Sequence, residues 1–184
     1  MNTLNGTRCI LEPQVEAHAP EMYEVLCDPA IYEFEGVPPP SVERLAAGFR
    51  RRESRVSPDG TEQWLNWVVR LPGVGLAGYV QATLYPSGAA YVGYEFASKY
   101  WRQGIGSAAV ALMLEELKTN YGVHTFVAVL KTANFRSLGL LHKLGFGPGS
   151  PEDAALYEAE PDETTLKMMA AALGASSAPS KPPR

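Results

Sequence analysis

The stretch Trp101-Arg102-Gln103-Gly104-Ile105-Gly106-Ser107 carries the residue types that hold an anion. Upstream, Ala90-Tyr91-Val92-Gly93-Tyr94-Glu95-Phe96 is aromatic and β-branched, the composition of a strand. Downstream, Ala108 to Leu117 is rich in helix formers, which predicts a helix from about Ser107 to Tyr121. The first amides of such a helix lack intrahelical partners and sit at the positive end of its dipole, so a phosphate or pyrophosphate can be held by backbone donors. Gly104 and Gly106 let the backbone approach closely because no Cβ intervenes. The same glycines would also serve a plain strand-to-helix turn, and their spacing alone does not separate the two uses. A Walker loop needs a Gly-Lys-Ser/Thr run that is absent. A dinucleotide fingerprint fits as Gly104-x-Gly106-x-x-Ala109, but Ala128-Val129-Leu130-Lys131 lacks the acidic ribose partner expected about 20 residues on.

The elements that must position this turn come from one ordinary domain. The chain has 184 residues, 46% hydrophobic and 20% charged, enough for a real core. A net charge of -4, from 16 basic and 20 acidic residues, argues against nonspecific nucleic-acid binding. Cys9 and Cys27 show no metal spacing, no N-terminal run has signal-peptide character, and no stretch approaches a membrane span. The expectation is a reduced, cytoplasmic protein without a metal, a nucleic-acid partner or a membrane partner.

Thr7 to Pro13 reads as a first strand stopped by proline. A helix from about Ala19 to Cys27 follows, with Met22, Val25 and Leu26 at helical spacing. After Asp28-Pro29 and the stiff Pro38-Pro39-Pro40, Ser41 is the N-cap of a basic helix running to about Arg55, whose arginines form a solvated face. Trp64 to Leu71 and Leu76 to Tyr85 are antiparallel strands around Pro72-Gly73-Val74-Gly75. His124 to Leu130 is a further strand, and Asn134 to Leu144 a helix closed by Gly145. Ala155 to Glu158 is expected as a strand. Thr164 to Met168 is either another strand or part of a helix capped by Asp162. Residues 1–173 are expected to form a single domain, and the Ala/Ser/Pro-rich stretch Gly174 to Arg184 a disordered tail. The class is α/β (α+β), a mixed, mostly antiparallel sheet with one meander and one crossover.

Several of these signals stand in a fixed order. Gly93-Tyr94-x-Phe96, then Tyr100-Trp101-Arg102-Gln103-Gly104-Ile105-Gly106, then Asn134-x-x-Ser137, then Lys143-Leu144-Gly145-Phe146 resemble the GNAT acetyltransferases. Within them the chain resembles the RimJ/RimL-type branch that acetylates ribosomal-protein N-termini, and the opening Thr7 to Pro13 is similar to that branch's first strand. The likeness runs from about Thr7 to Met168. It implies a central sheet flanked by helices, with strands splayed apart at an acyl-CoA site. The implied cosubstrate is acetyl-CoA, its pyrophosphate on Arg102, Gln103, Gly104, Ile105, Gly106 and Ser107, and its pantetheine amides paired with backbone around Phe96. Asn134 and Ser137 match positions near the cofactor sulfur, although Asn134 would also serve as a helix cap. Lys143 lies where relatives can meet a CoA phosphate and is not assigned. Two departures stand out: Trp101 replaces a frequent Gln or Arg, and Leu141 replaces a tyrosine that protonates the leaving thiolate in many relatives.

An amine acceptor must be neutral to attack a thioester, so a base is needed. Glu95 is the candidate base, although strand alternation sends it to the face opposite Phe96. Ser137 is the hydroxyl assigned to the sulfur. The resemblance implies that the segment after the first helix lines the acceptor pocket, and Glu35 and Tyr32 are assigned there on that ground, with Glu33 beside them. Three functions compete: acetylation of a primary amine such as a protein N-terminus, acetylation of a small-molecule amine, and a noncatalytic acyl-CoA-binding module. A homodimer is left open.

Overall fold

The computed structural model describes residues 1–34 and 36–173. Two short strands, β1 (Leu4–Asn5) and β2 (Ile10–Pro13), precede helices α1 (Ala19–Leu26) and α2 (Val42–Arg52). Strands β3 (Gln63–Leu71), β4 (Gly75–Leu84) and β5 (Ala89–Phe96) then run as a meander. Helix α3 (Ile105–Tyr121) crosses to β6 (Thr125–Lys131), and α4 (Phe135–Lys143), β7 (Gly147–Pro148), α5 (Pro151–Leu156) and β8 (Glu163–Met169) follow. The strands form one sheet in the order β1-β2-β3-β4-β5-β6-β8-β7. Every pairing is antiparallel except β5 with β6.

Helices cover both faces of the sheet, and β3 shows why. Its neighbours Trp67 and Val68 point to opposite faces, as strand alternation requires, yet both are fully buried. Trp67 packs with Leu11, Val80 and Val92 under Val110, Met113 and Leu114 of α3. Val68 packs with Leu76 under Met22 and Leu26 of α1 and Phe49 of α2. Burial of each such side chain stabilises the fold by about 1.5 to 3 kcal/mol, so a sheet clad on both faces is a rigid platform.

The sheet is broken at one place. β5 and β6 pair only where Ala89, Ala90 and Tyr91 meet Thr125, Phe126 and Val127. Beyond that point they diverge, while β5 stays paired with β4 as far as Phe96 and β6 stays paired with β8 as far as Lys131. The facing edges of residues 92–96 and 128–131 therefore present backbone donors and acceptors to a gap rather than to each other.

Several boundaries differ from those read in the sequence. The helix after the glycine turn begins at Ile105, two positions before Ser107, because Gly104 takes left-handed angles (φ 78°) and caps it. The basic helix stops at Arg52. Arg55 lies beyond it with a left-handed backbone (φ 62°), and its guanidinium is turned inward to donate to the Gln14 carbonyl instead of facing solvent. In place of the strand expected over Ala155 to Glu158, a helix runs from Pro151 to Leu156 and a turn follows at Tyr157 and Glu158; the helix is started by a capping box between Ser150 and Asp153 with proline in the first turn. Of the two readings of Thr164 to Met168, the strand holds, paired along β6 from Glu163 to Met169. The tail from Gly174 lies outside the described residues.

Candidate functional site

A cavity of about 850 Å³ occupies the gap between β5 and β6 and passes through the sheet. On the α3 and α4 side it is bordered by Tyr94, Phe96, Gly106, Ser107, Asn134 and Ser137; on the α1 and α2 side by Tyr79, Gln81 and Glu95, with Ile31 and Phe34 above. Its size falls within the roughly 300 to 1,000 Å³ of ligand sites.

The turn at one end is built for a close backbone approach. The Trp101 indole N–H donates to the Phe96 carbonyl at 2.7 Å, fixing the strand end to the turn. Arg102 (φ 60°) and Gly104 (φ 78°) both take left-handed angles. A Cβ on Gly104 would touch nothing within 4 Å, so glycine serves conformation there. At Gly106 the demand is steric, because a Cβ would lie 3.0 Å from Leu140 Cδ1 and 3.4 Å from Phe96 Cε2. The Ala108 amide is bonded to the Gly104 carbonyl at 3.0 Å, which places the amides of Ile105, Gly106 and Ser107 ahead of the helical ladder at its positive end.

At the start of α4, Asn134 Oδ1 accepts from the Ser137 amide at 3.1 Å. Asn134 therefore caps the helix and borders the cavity at once, and its two readings coexist. The Tyr94 hydroxyl donates to the Ser137 carbonyl at 3.4 Å. Burial pushes that phenol up to about 12, so it stays protonated at neutral pH. Leu141, at the position where many relatives carry tyrosine, is 1% exposed and belongs to the core.

Glu95 stands opposite Tyr79 in the β4–β5 register. Burial raises the Tyr79 phenol well above its usual range, helped by the negative charge of Glu95 and by a hydrogen bond to that carboxylate. The phenol is thus a persistent donor that orients Glu95. Alternation does send Glu95 and Phe96 to opposite faces. Because the sheet is open beside them, both still border one cavity.

The remaining site residues divide. Phe96, Arg102, Gly104, Gly106, Ser107, Asn134, Ser137 and Glu95 are brought together around the cavity. Gln103 and Ile105 are not among its lining residues: Gln103 Nε2 donates to the Lys99 carbonyl at 2.6 Å and Ile105 is buried in the core, so only their main chains belong to the turn. Tyr32 is turned away, its hydroxyl donating to the Leu26 carbonyl at 2.9 Å. Burial, followed by the charge of Glu95, lifts that phenol to about 12. Glu33 is ion-paired with Arg136. Glu35 lies outside the described residues. Lys143 is exposed at the cavity edge. Among the described residues no cluster of His, Cys, Asp and Glu is placed to hold a metal ion, and no helix is long and apolar enough to cross a membrane.

Sequence reasoning passed over Tyr79, Tyr94 as a donor, and Arg136. Tyr79 needed the β4–β5 register, which no local pattern supplies. Arg136 carried a usable signal, since a cation in the first turn of a helix opposes the helix dipole and calls for a partner.

The open edges, the amides at the α3 start and the close-packed Gly106 fit a long, extended ligand with an anionic end. Residues 8–147 match the acetyltransferase (GNAT) domain family. No curated protein sequence matches the chain. Among solved structures, the chain is similar to RimL, a ribosomal L7/L12 alpha-N-protein acetyltransferase in complex with coenzyme A (TM-score 0.77, 16% identity, 91% of this chain and 98% of that one). It is also similar to the ribosomal-protein-S5-alanine acetyltransferase of Vibrio fischeri (TM-score 0.74, 16% identity, 92% and 97% covered). A third neighbour is a spermidine N-acetyltransferase SpeG chimera from Vibrio cholerae and hSSAT (TM-score 0.72, 15% identity, 90% and 97% covered). At these identities the likeness is one of fold.

Proposed function

This chain belongs to the GNAT acetyltransferase family, and we propose that within it the protein transfers acetyl from acetyl-CoA to a primary amine, a protein N-terminus being the first acceptor to test. The observation that carries this reading is the cavity through the split sheet. It joins the anion-binding end of α3 on one face to the Glu95 carboxylate on the other.

When bound, acetyl-CoA supplies an acetyl group activated as a thioester. The amides of Ile105, Gly106 and Ser107 would hold its pyrophosphate, and the main chain of β5 that faces the gap would pair with its amides. Glu95, oriented by the Tyr79 phenol, takes a proton from the incoming ammonium directly or through a water. Ser137 offers its hydroxyl to the departing thiolate, with the Tyr94 phenol as a second donor in the same wall. Amine and thioester thus approach from opposite faces of one sheet and meet in the gap.

Two fold neighbours act on ribosomal proteins and one on spermidine, so the acceptor is open to a direct contest. A panel of short peptides with free N-termini, polyamines and free amino acids, assayed by acetylated product, decides it. The N-terminal reading expects the best peptide to exceed the best polyamine in kcat/KM by about tenfold, or 1.4 kcal/mol in transition-state stabilisation. The reverse order favours a small-amine enzyme.

A further inference from the structure

Arg136 occupies the first turn of α4 between Asn134 and Ser137, where the helix dipole disfavours a cation. Four contacts from three segments compensate it. Its guanidinium pairs with Glu33, which lies 103 residues away in sequence. The same group lies 4.5 Å from the centre of the Trp101 ring, 5.2 Å from that of Phe34 and 5.0 Å from that of Phe135. Trp101 belongs to the glycine turn, Glu33 and Phe34 to the segment after α1, and Phe135 to α4 itself.

The base of the 29–34 segment is anchored independently of Arg136. Asp28 accepts from the Ala30 amide at 3.1 Å and from the Ser98 amide at 2.6 Å, and the Tyr32 hydroxyl reaches Leu26. Its tip, Glu33 and Phe34, is held at Arg136. Arg136 side chain exposure is 25% and that of Glu33 is 50%, so the pair sits at the rim of the cavity that Phe34, Trp101 and Arg136 all border. Exposed ion pairs and cation–π contacts are individually modest, which makes such a closure reversible.

We infer that Arg136 is a positioning residue, a clasp that holds the 29–34 segment over the acyl end of the cavity and sets how the acceptor amine reaches it. The clasp rests on geometry alone; its kinetic consequence rests on the amine-acetylation reading above. Hydrogen exchange of the full chain tests it. In Arg136→Ala, and in the exposed-site variant Glu33→Gln, the amides of Glu33 and Phe34 should exchange about tenfold faster while those of Ala30, α3 and β3 keep their wild-type rates. Arg136→Lys keeps the charge but loses the planar stack, and should fall between. Kinetically, both loosened variants should raise KM for the amine about tenfold and leave KM for acetyl-CoA within about twofold. Unchanged exchange at Glu33 and Phe34 in both variants overturns the clasp. If the wild-type protein acetylates no amine, the exchange result still decides the clasp, and the failure falls on the acetyl-transfer reading.

Discussion

Glu95 and Phe96 adjoin in sequence and face opposite sides of β5, yet both border the same cavity because the neighbouring strand has swung away. This geometry permits a base on one face to serve a thioester held from the other. Glu95→Gln keeps the shape and the bond from Tyr79 but removes the basic oxygen, so kcat should fall by about a hundredfold with acetyl-CoA affinity unchanged. Steady-state kinetics with calorimetric titration of acetyl-CoA read both quantities, and a wild-type kcat removes Glu95 from the role. Ser137→Ala preserves the α4 cap, which uses the backbone amide of Ser137 rather than its hydroxyl. It should slow thiol release by roughly tenfold, read in single-turnover kinetics. An undiminished rate shows that the hydroxyl is dispensable and leaves Tyr94 as the donor in that wall.

The turn and the helix it starts were readable from local chemistry, because two glycines after an aromatic strand and before strong helix formers constrain the backbone on their own. Gly104 tests that logic. Its left-handed φ with open space around it predicts that Gly104→Asn is tolerated, whereas Gly104→Val loses about 1 to 2 kcal/mol, measured by urea denaturation. Equal stability of the two variants contradicts the conformational reading. The signal for α5 is equally local, in the Ser150-Pro151-Glu152-Asp153 start, but the short run Ala155 to Glu158 on its own reads as a strand. What remained illegible depended on distant partners: the orientation of Glu95 by Tyr79 depends on register, the turning away of Tyr32 on the Leu26 carbonyl, and the Arg136 contacts on segments far apart in the chain. Asp28 joins two such segments. Burial raises its carboxyl, but hydrogen bonds from the Ser98 hydroxyl and amide and from the Ala30 amide, with the nearby Lys99 charge, outweigh that and hold it below its usual range. The folded value being depressed, its contribution to stability is full above the unfolded value of about 3.9 and fades as pH falls through the folded one, since the unfolded chain binds the proton first. Asp28→Asn keeps an acceptor oxygen without the charge, so the gap between wild-type and variant urea midpoints should be widest at pH 7 and shrink toward pH 3. A gap that grows on acidification contradicts that sign.

At the scale of the whole molecule, the sheet is a rigid platform clad on both faces with one built-in opening. Trp67 and Val68 are buried completely beneath the helices, while the pairing of β5 with β6 ends at Tyr91 and Val127 and leaves the gap in which we propose the ligand lies. The most direct test of this account is a single-turnover reaction of the protein with acetyl-CoA and a lysine-free peptide whose N-terminal amine is free, followed for thiol and for acetylated peptide together. Both products should appear in equal amounts with the free peptide, and neither above background with the same peptide blocked at its N-terminus. Equal thiol release from the blocked peptide, or bound acetyl-CoA that yields no thiol with any amine, would contradict it.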